Sequence, residues 1–395
     1  MKNKIVKNIG FNIVLLGIVS FLNDASSEMI MPILPLFIAS LGGTGLIIGL
    51  IGGIRDSISS LLKVVCGYWS DRTGKRKIFV FSGYFTSALF KLLLSFSTIW
   101  QHILIFSGLE RVGKGIRTAP RDAIIADSMP EKRGKGFGIH RALDTAGAIL
   151  GSVIVFLLIW FVTVDFNVII LIAAGVAFLS FIPLVFVKET KRKTQKISFK
   201  TSIKTLPRSL KLFLIVSSVF SLANFSYMFF ILKAQKLFSG EWTFAAPILL
   251  YILFNMFYAV FAIPFGSLSD KVGRKKVLMV GYLLFSVTTA GFALFFSLFA
   301  FIILFALYGI VYAIIDGNQR ALVSDLSSEN LKSTALGTYH TLTGLVALPS
   351  SLIAGLIWET INPSTAFLFG CLVSLIAVLI FSIYSPSIKI DNHNN

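Results

Sequence analysis

Asp24 and Glu28 stand four residues apart in a stretch that is otherwise apolar, small or uncharged. On a helix that spacing puts both carboxylates on one face. Two carboxylates held close in a poorly solvated place cannot both ionise cheaply, so such a pair can take up and release a proton. The plainer account is that each neutralises a base such as Arg55, Lys63 or Arg111, while Asn23, Ser26 and Ser27 add polar groups beside them. Further along, Glu110, Arg111, Lys114, Arg117, Arg121 and Asp122 share a helical arc of about 140°. Val112, Ile116, Ala119 and Ala123 fall on the opposite side. Bases outnumber acids four to two on this arc, which suits an anionic or zwitterionic ligand; the alternative is a set of internal ion pairs. Arg111 and Lys114 lie nearest the middle of the stretch, whereas Arg121 and Asp122 near its end suit a gate. Arg55 and Asp56 form a third charged pair near mid-depth. Arg141 and Asp144, at i and i+3, read as a local ion pair, and His140 as a polar packing residue. Lys91 reads as a side chain snorkelling outward.

The elements that must carry these residues follow from composition. Of 395 residues 55% are hydrophobic and only 14% charged, against roughly 25% charged in a soluble domain. Mean hydropathy is +0.84, and apolar runs of about 20 residues, enough to span a bilayer, recur along the chain. The solvent is therefore lipid, and no cleavable signal segment is expected because the first apolar run continues past residue 35. Twelve spans are predicted: 10–38, 45–69, 78–98, 101–126, 135–162, 168–187, 212–236, 245–269, 278–298, 300–324, 334–358 and 364–384. A charge near the bilayer centre costs a few kcal/mol or more, so the charged faces must look into polar interior. In span 5, Gly138, Ala142 and Ala146 form a small-residue stripe suited to close packing. The net charge of +18 does not point to nucleic acid. Most of the bases, about 25 of the 36, fall in the termini and alternate short loops on one side, the positive-inside pattern that places both termini in the cytoplasm. Cys66 and Cys371 fall inside spans and read as packing residues rather than disulfide or metal partners.

Residues 67–77 read GYWSDRTGKRK, and residues 266–276, which begin 199 positions later, read GSLSDKVGRKK. Both fit G-x-x-x-D-x-x-G-[RK]-[RK]-K between the second and third spans of a six-span half. RDAIIAD, ending at Asp127, and RALVSD, ending at Asp325, form a weaker second echo. The strongly basic connection at 188–211 separates the halves, giving bundles at 1–187 and 212–395 joined by a cytoplasmic linker. Half-length repetition is how many transporters place a site between pseudo-symmetric halves.

The doubled loop motif resembles motif A of the major facilitator superfamily, and the resemblance covers the whole chain. ERVGKGIRTAPRDAIIAD and GIHRALDTAGAILG further resemble an uncharacterised archaeal and bacterial subgroup of it. The resemblance implies an all-α membrane protein of two six-helix bundles, usually monomeric. It also implies a latch, built on Asp71 and Asp270, that holds the outward-facing state. Gly67 and Gly266 would let helices approach, Gly74 and Gly273 would permit a tight reversal, and Arg121 and Asp122 would join the gate. LERVGKG resembles the R-x-x-Q-G motif of proton-coupled antiporters, with Lys114 where Gln is usual; AGAILGS, containing Gly147 and Gly151, lacks the proline of the fifth-span antiporter motif.

In the second half, charge within spans is confined to Asp316 and Arg320, with Asp325 and Lys233 near the ends. Asn224, Tyr227, Asn318, Gln319, Tyr339 and His340 offer hydrogen bonds, and Phe225, Phe229 and Phe230 read as lipid- or core-facing. No P-loop, no H-E-x-x-H spacing and no soluble domain is found, so no enzyme activity and no cofactor is expected. The function expected is secondary active transport of a small organic solute, anionic or amphipathic, by alternating access, driven by protons or another ion and directed to export, with uptake of an organic anion as the alternative. A receptor or lipid-handling protein on the same bundle is the reading from another class.

Overall fold

The computed structural model describes residues 2–129, 133–162, 164–189, 206–327 and 331–384. Most of the basic linker and the residues after Tyr384 lie outside them. Backbone amides in hydrocarbon have no water to bond, so an open chain there is driven to helix. Fifteen helices result among the described residues: α1 Lys2–Ile30, α2 Leu34–Ser40, α3 Gly45–Thr73, α4 Arg76–Leu94, α5 Trp100–Ser128, α6 Arg133–Val162, α7 Phe166–Leu179, α8 Phe181–Val185, α9 Arg208–Ala223, α10 Met228–Gln235, α11 Trp242–Val272, α12 Arg274–Leu294, α13 Leu298–Asp325, α14 Lys332–Thr360 and α15 Pro363–Tyr384.

Three spans are broken. Pro32 lies in the turn that ends α1, and α2 resumes with Pro35 in its first turn, where a missing N–H costs nothing. Ser180 separates α7 from α8, and residues 224–227 separate α9 from α10. Among the described residues eleven stretches are long and apolar enough to cross a membrane. The twelfth, α5, has 29 residues, as long as α3 or α14, but its charged arc keeps it below that hydropathy. With α5 the twelve predicted spans are all present as helices.

The chain forms two compact units. One comprises residues 2–42 and 58–189, the other residues 43–57 and 206–384. In the first, Ile13, Leu16, Val19, Val80, Ile124, Ile125 and Leu184 make a dry core. Buried Asn12 closes it by donating to Lys188 O at 2.8 Å and accepting from Lys188 N at 3.0 Å. In the second, stacked and edge-on rings dominate: Phe230 lies 4.1 Å from Tyr308 and Phe220 4.0 Å from Tyr282, centroid to centroid. Phe225, Phe229 and Phe230 are buried in this core rather than facing lipid. Cys66 is buried, Cys371 half-buried, and both are free thiols.

Candidate functional site: a charge cluster on α1, α4, α5 and α6

The cluster rests on the crossing of α4 and α5. A Cβ on Gly113 would fall 2.5 Å from Gly83 O and 2.6 Å from Ser87 N, so only glycine allows this backbone contact. One turn on, Arg117 is pressed between the helices and is 2% exposed. Its Nη1 donates to Ser87 Oγ at 2.6 Å, and its guanidinium lies 4.4 Å from the centroid of the Tyr84 ring. Ser87 Oγ in turn donates to Glu110 O at 3.0 Å. Glu110 and Arg111 are both buried and pair at 3.2 Å. Lys114 is different. Its ammonium makes no hydrogen bond and no ion pair among the described residues, and its charged neighbours at longer range are Arg111, Asp24, Arg117 and Glu110. Along the predicted arc Glu110, Arg111 and Arg117 are buried, while Lys114, Arg121 and Asp122 are half-buried.

Against this stands α1. Lys91 of α4, predicted to snorkel outward, is 1% exposed. Its Nζ donates to Ser26 Oγ and Ser27 Oγ at 2.9 Å each, and to Asn23 O at 3.4 Å. The small hydroxyls of α1 leave room for the whole lysine stem, and they offer acceptors that the lipid cannot.

Asp24 meets a carboxylate, but the one facing it is Asp144 of α6, within hydrogen-bond reach, rather than its helix neighbour Glu28. Glu28 is half-buried on α1. The reason lies in backbone packing. A Cβ on Gly147 would fall 2.2 Å from Phe21 O, and one on Gly151 would fall 2.1 Å from Ala25 O. Glycine thus brings α6 against the turns of α1 on either side of Asp24. The stripe expected to pack, Gly138, Ala142 and Ala146, is exposed instead. Arg141 pairs with Asp144 at 3.1 Å, as the i, i+3 spacing predicts. Buried His140 shares a hydrogen bond of 2.8 Å with Ser20 Oγ, which also accepts from Arg121 Nη1 at 3.2 Å. Arg121 otherwise bonds its neighbour Asp122 at 2.9 Å.

The two loop motifs make the same contacts. Arg76 bridges Asp71 and Asp127, both at 2.6 Å. Arg274 bridges Asp270 at 2.9 Å and Asp325 at 2.5 Å. Each motif aspartate is thus joined, through an arginine five or four residues on, to the last acid of the fourth span in its half. Gly74 and Gly273 adopt φ of 67° and 102°, the left-handed region that the reversal demands. Gly67 packs tightly, its added Cβ falling 3.1 Å from Ala119 Cβ. Gly266 does not behave as its counterpart: nothing lies within 4 Å of an added Cβ.

A sequence profile of the Major Facilitator Superfamily matches residues 16–251 and 235–395. The chain belongs to that superfamily. It is 57% identical to an uncharacterized MFS-type transporter of Methanocaldococcus jannaschii over 373 residues, 93% of this chain and 94% of that one. A shorter match, 31% identical over 150 residues, covers 36% of the chain and 35% of the multidrug resistance protein MdtG of Enterobacter lignolyticus. Among solved structures, a mutant of the nucleoside transporter NupG superposes with a TM-score of 0.81 at 15% identity, covering 94% of this chain and 99% of its own. The protein is accordingly a membrane transporter and not an enzyme.

In the second unit of this MFS transporter, neutral groups supply several of the buried hydrogen bonds. Gln319 Nε2 donates to Tyr282 OH and Tyr339 OH donates to Gln319 Oε1, both at 2.6 Å. Ser269 Oγ donates to Asn318 Oδ1 at 2.6 Å, and Tyr312 OH to Asn224 Oδ1 at 3.2 Å. Asp316 accepts from Tyr258 OH at 2.8 Å and pairs with Arg320 at 2.5 Å. Arg55 is buried and Asp56 exposed, and both belong to this unit. The structure thus separates the sequence-predicted residues into two groups. Asp24, Glu28, Glu110, Arg111, Lys114, Arg117, Arg121 and Asp122 belong to the first unit; Arg55, Asp56, Asp316 and Arg320 belong to the second. Arg76, Lys91, Asp144 and Arg274 join the candidate groups on geometry. The two arginines had a sequence signal in the adjacent basic positions that follow Gly74 and Gly273 in the repeated motif, and Asp144 had one in its i, i+3 partner Arg141.

Proposed function

We propose that this transporter is a proton-coupled secondary carrier of a small organic solute bearing an anionic group, working by alternating access as a monomer with both termini in the cytoplasm. The observation that carries the anionic substrate is Lys114. An ammonium in a membrane helix is costly to keep without a counter-charge, and here it stands without a hydrogen bond or ion pair among the described residues, with Arg111 as a charged neighbour. A carboxylate or phosphate brought by the substrate supplies the missing charge, in a charge-assisted bond stronger than a neutral one. Asp24 supports proton coupling, since a carboxylate inside a span is a proton-relay candidate by default.

Purified protein in proteoliposomes, given a pH step and pools of organic anions, zwitterions and amphipathic cations, tests both halves. The expected outcome is proton movement dependent on an anionic pool, with K114M weakening apparent affinity about tenfold or more, equal to about 1.4 kcal/mol of binding. Unchanged affinity in folded K114M protein sinks the assignment of Lys114. Flux with no gradient dependence favours a lipid-handling role. The partial likeness to MdtG, a multidrug resistance protein, favours a second reading, export of amphipathic compounds. Proton movement driven by the cationic pool alone would select it.

A further inference from the structure

Two carboxylates at hydrogen-bond reach present only acceptors to each other, because an ionised carboxylate has no hydrogen to donate. Asp24 of α1 and Asp144 of α6 meet in this way. The approach is built into the helices. Gly147 and Gly151 let α6 touch the carbonyls of Phe21 and Ala25, the residues that bracket Asp24. The bases nearby are committed elsewhere. Facing Asp24 from α5 are Lys114, Arg117 and Arg121; Arg117 bonds Ser87, Arg121 bonds Asp122 and Ser20, and none makes an ion pair with Asp24. From α4, Lys91 spends its hydrogens on Ser26, Ser27 and Asn23 O. His140 bonds Ser20. Among the described residues Arg141 alone pairs with Asp144, and its side chain is 59% exposed. Asp144 thus has one cation paired with it, and Asp24 has none at ion-pair distance among the described residues.

A second observation marks the place. Asn23, 1% exposed, sets its carboxamide against Asp24, Nδ2 lying 3.4 Å from Oδ1, while its own Oδ1 has no hydrogen-bond partner. A buried acceptor is left waiting for a donor beside the carboxyl pair.

We propose that Asp24 and Asp144 hold one proton between them at the α1–α6 contact, and that this proton is the coupling ion. Taking it up turns one carboxylate into a carboxylic acid, which donates across the pair and leaves Arg141 to balance the single remaining charge. Releasing it sets two negative charges against each other where the helices touch. One of those charges, on Asp24, is then free to turn toward Lys114. Proton loss and loss of a substrate anion from Lys114 therefore favour each other, and by linkage the anion strengthens proton binding. This coupling half rests on the proton-coupled, anion-carrying reading given above.

Infrared titration of the protein in lipid vesicles follows the C=O band of a protonated carboxyl without needing a substrate. The expected result is one protonated carboxyl per chain that persists into neutral pH. It should vanish in both D24N and D144N, since either amide leaves the surviving carboxylate without a like-charged neighbour. Asparagine has nearly the shape of protonated aspartate, so both variants should elute as folded monodisperse protein. A band that survives both substitutions, a band lost only in E28Q, or no band in the wild type overturns the pair. Proton flux in proteoliposomes separates the two claims: coupled flux unaltered by D144N refutes the pair while leaving coupling intact. A titrating pair in a protein whose flux ignores the pH gradient refutes coupling while leaving the pair intact.

Discussion

Lys91 shows what a buried charge demands of its neighbours. Its ammonium is held by three oxygens of α1 and has no carboxylate within ion-pair distance among the described residues. Removing such a charge altogether and removing its acceptors have opposite consequences. Replacing a buried ion by an apolar group of similar shape is often neutral or stabilising, so K91M should melt within a few degrees of the wild type. Stripping an acceptor leaves the charge in place, at a cost of about 1–3 kcal/mol. S26A should therefore melt lower than K91M, the more so because Ser26 Oγ also donates to Ala173 O at 2.5 Å. Thermal unfolding in detergent checks the order, and a K91M protein less stable than S26A would contradict it. None of this is legible in the sequence: the acceptors sit on a helix more than sixty positions away, and a lone lysine in an apolar run reads equally well as a snorkelling side chain. Asp144 is only half legible for the same reason. Its i, i+3 partner Arg141 is visible in the sequence; its carboxyl partner on α1 is not.

At the scale of elements, glycine decides which helices touch. The small-residue stripe chosen by spacing, Gly138, Ala142 and Ala146, is exposed, while Gly147 and Gly151 carry the α1–α6 contact. Both sets have helical periodicity, so periodicity alone could not choose between them; the neighbouring backbone does. The difference is measurable. G151A places a methyl 2.1 Å from Ala25 O, and overpacking of that kind costs about 1–3 kcal/mol. G138A meets nothing within 4 Å and should be neutral or gain up to about 1 kcal/mol from helix propensity. Chemical denaturation of the two variants side by side should show a clear loss for the first only. Equal stabilities would mean that α1 and α6 do not touch at Gly151.

At the scale of the molecule, the repeat was the most legible feature, because it is written as sequence identity and needs no partner to be seen. Each motif copy closes with the same arginine bridge between two aspartates, and the acids that complete the bridges, Asp127 and Asp325, are the ends of the weaker echo. The twelve helices were legible from hydropathy to within a few residues, and so was the poverty of charge in the second half. The grouping of α3 was not: residues 45–57 pack with the C-terminal helices and 58–73 with the N-terminal ones. Nothing in that unbroken helix marks a division, since helix formation is local and the choice of packing partner is not.

The arc of charge on α5 has a cost that falls before the protein ever carries a solute. At a mean hydropathy too low for it to count among the membrane-capable stretches, α5 partitions poorly into lipid as a solitary segment emerging from the ribosome. Its remedy is next to it in the chain. Gly83 and Gly113 allow α4 to lie against it, and Ser87 and Tyr84 of α4 receive the guanidinium of Arg117. Biogenesis should therefore proceed through a helical hairpin, with α5 entering the bilayer only in company. A glycosylation-mapping assay in microsomes should find α5 poorly inserted alone and well inserted behind α4, and S87L, which removes the acceptor for Arg117, should lower the second yield. Equal insertion with and without α4 would show that α5 needs no escort.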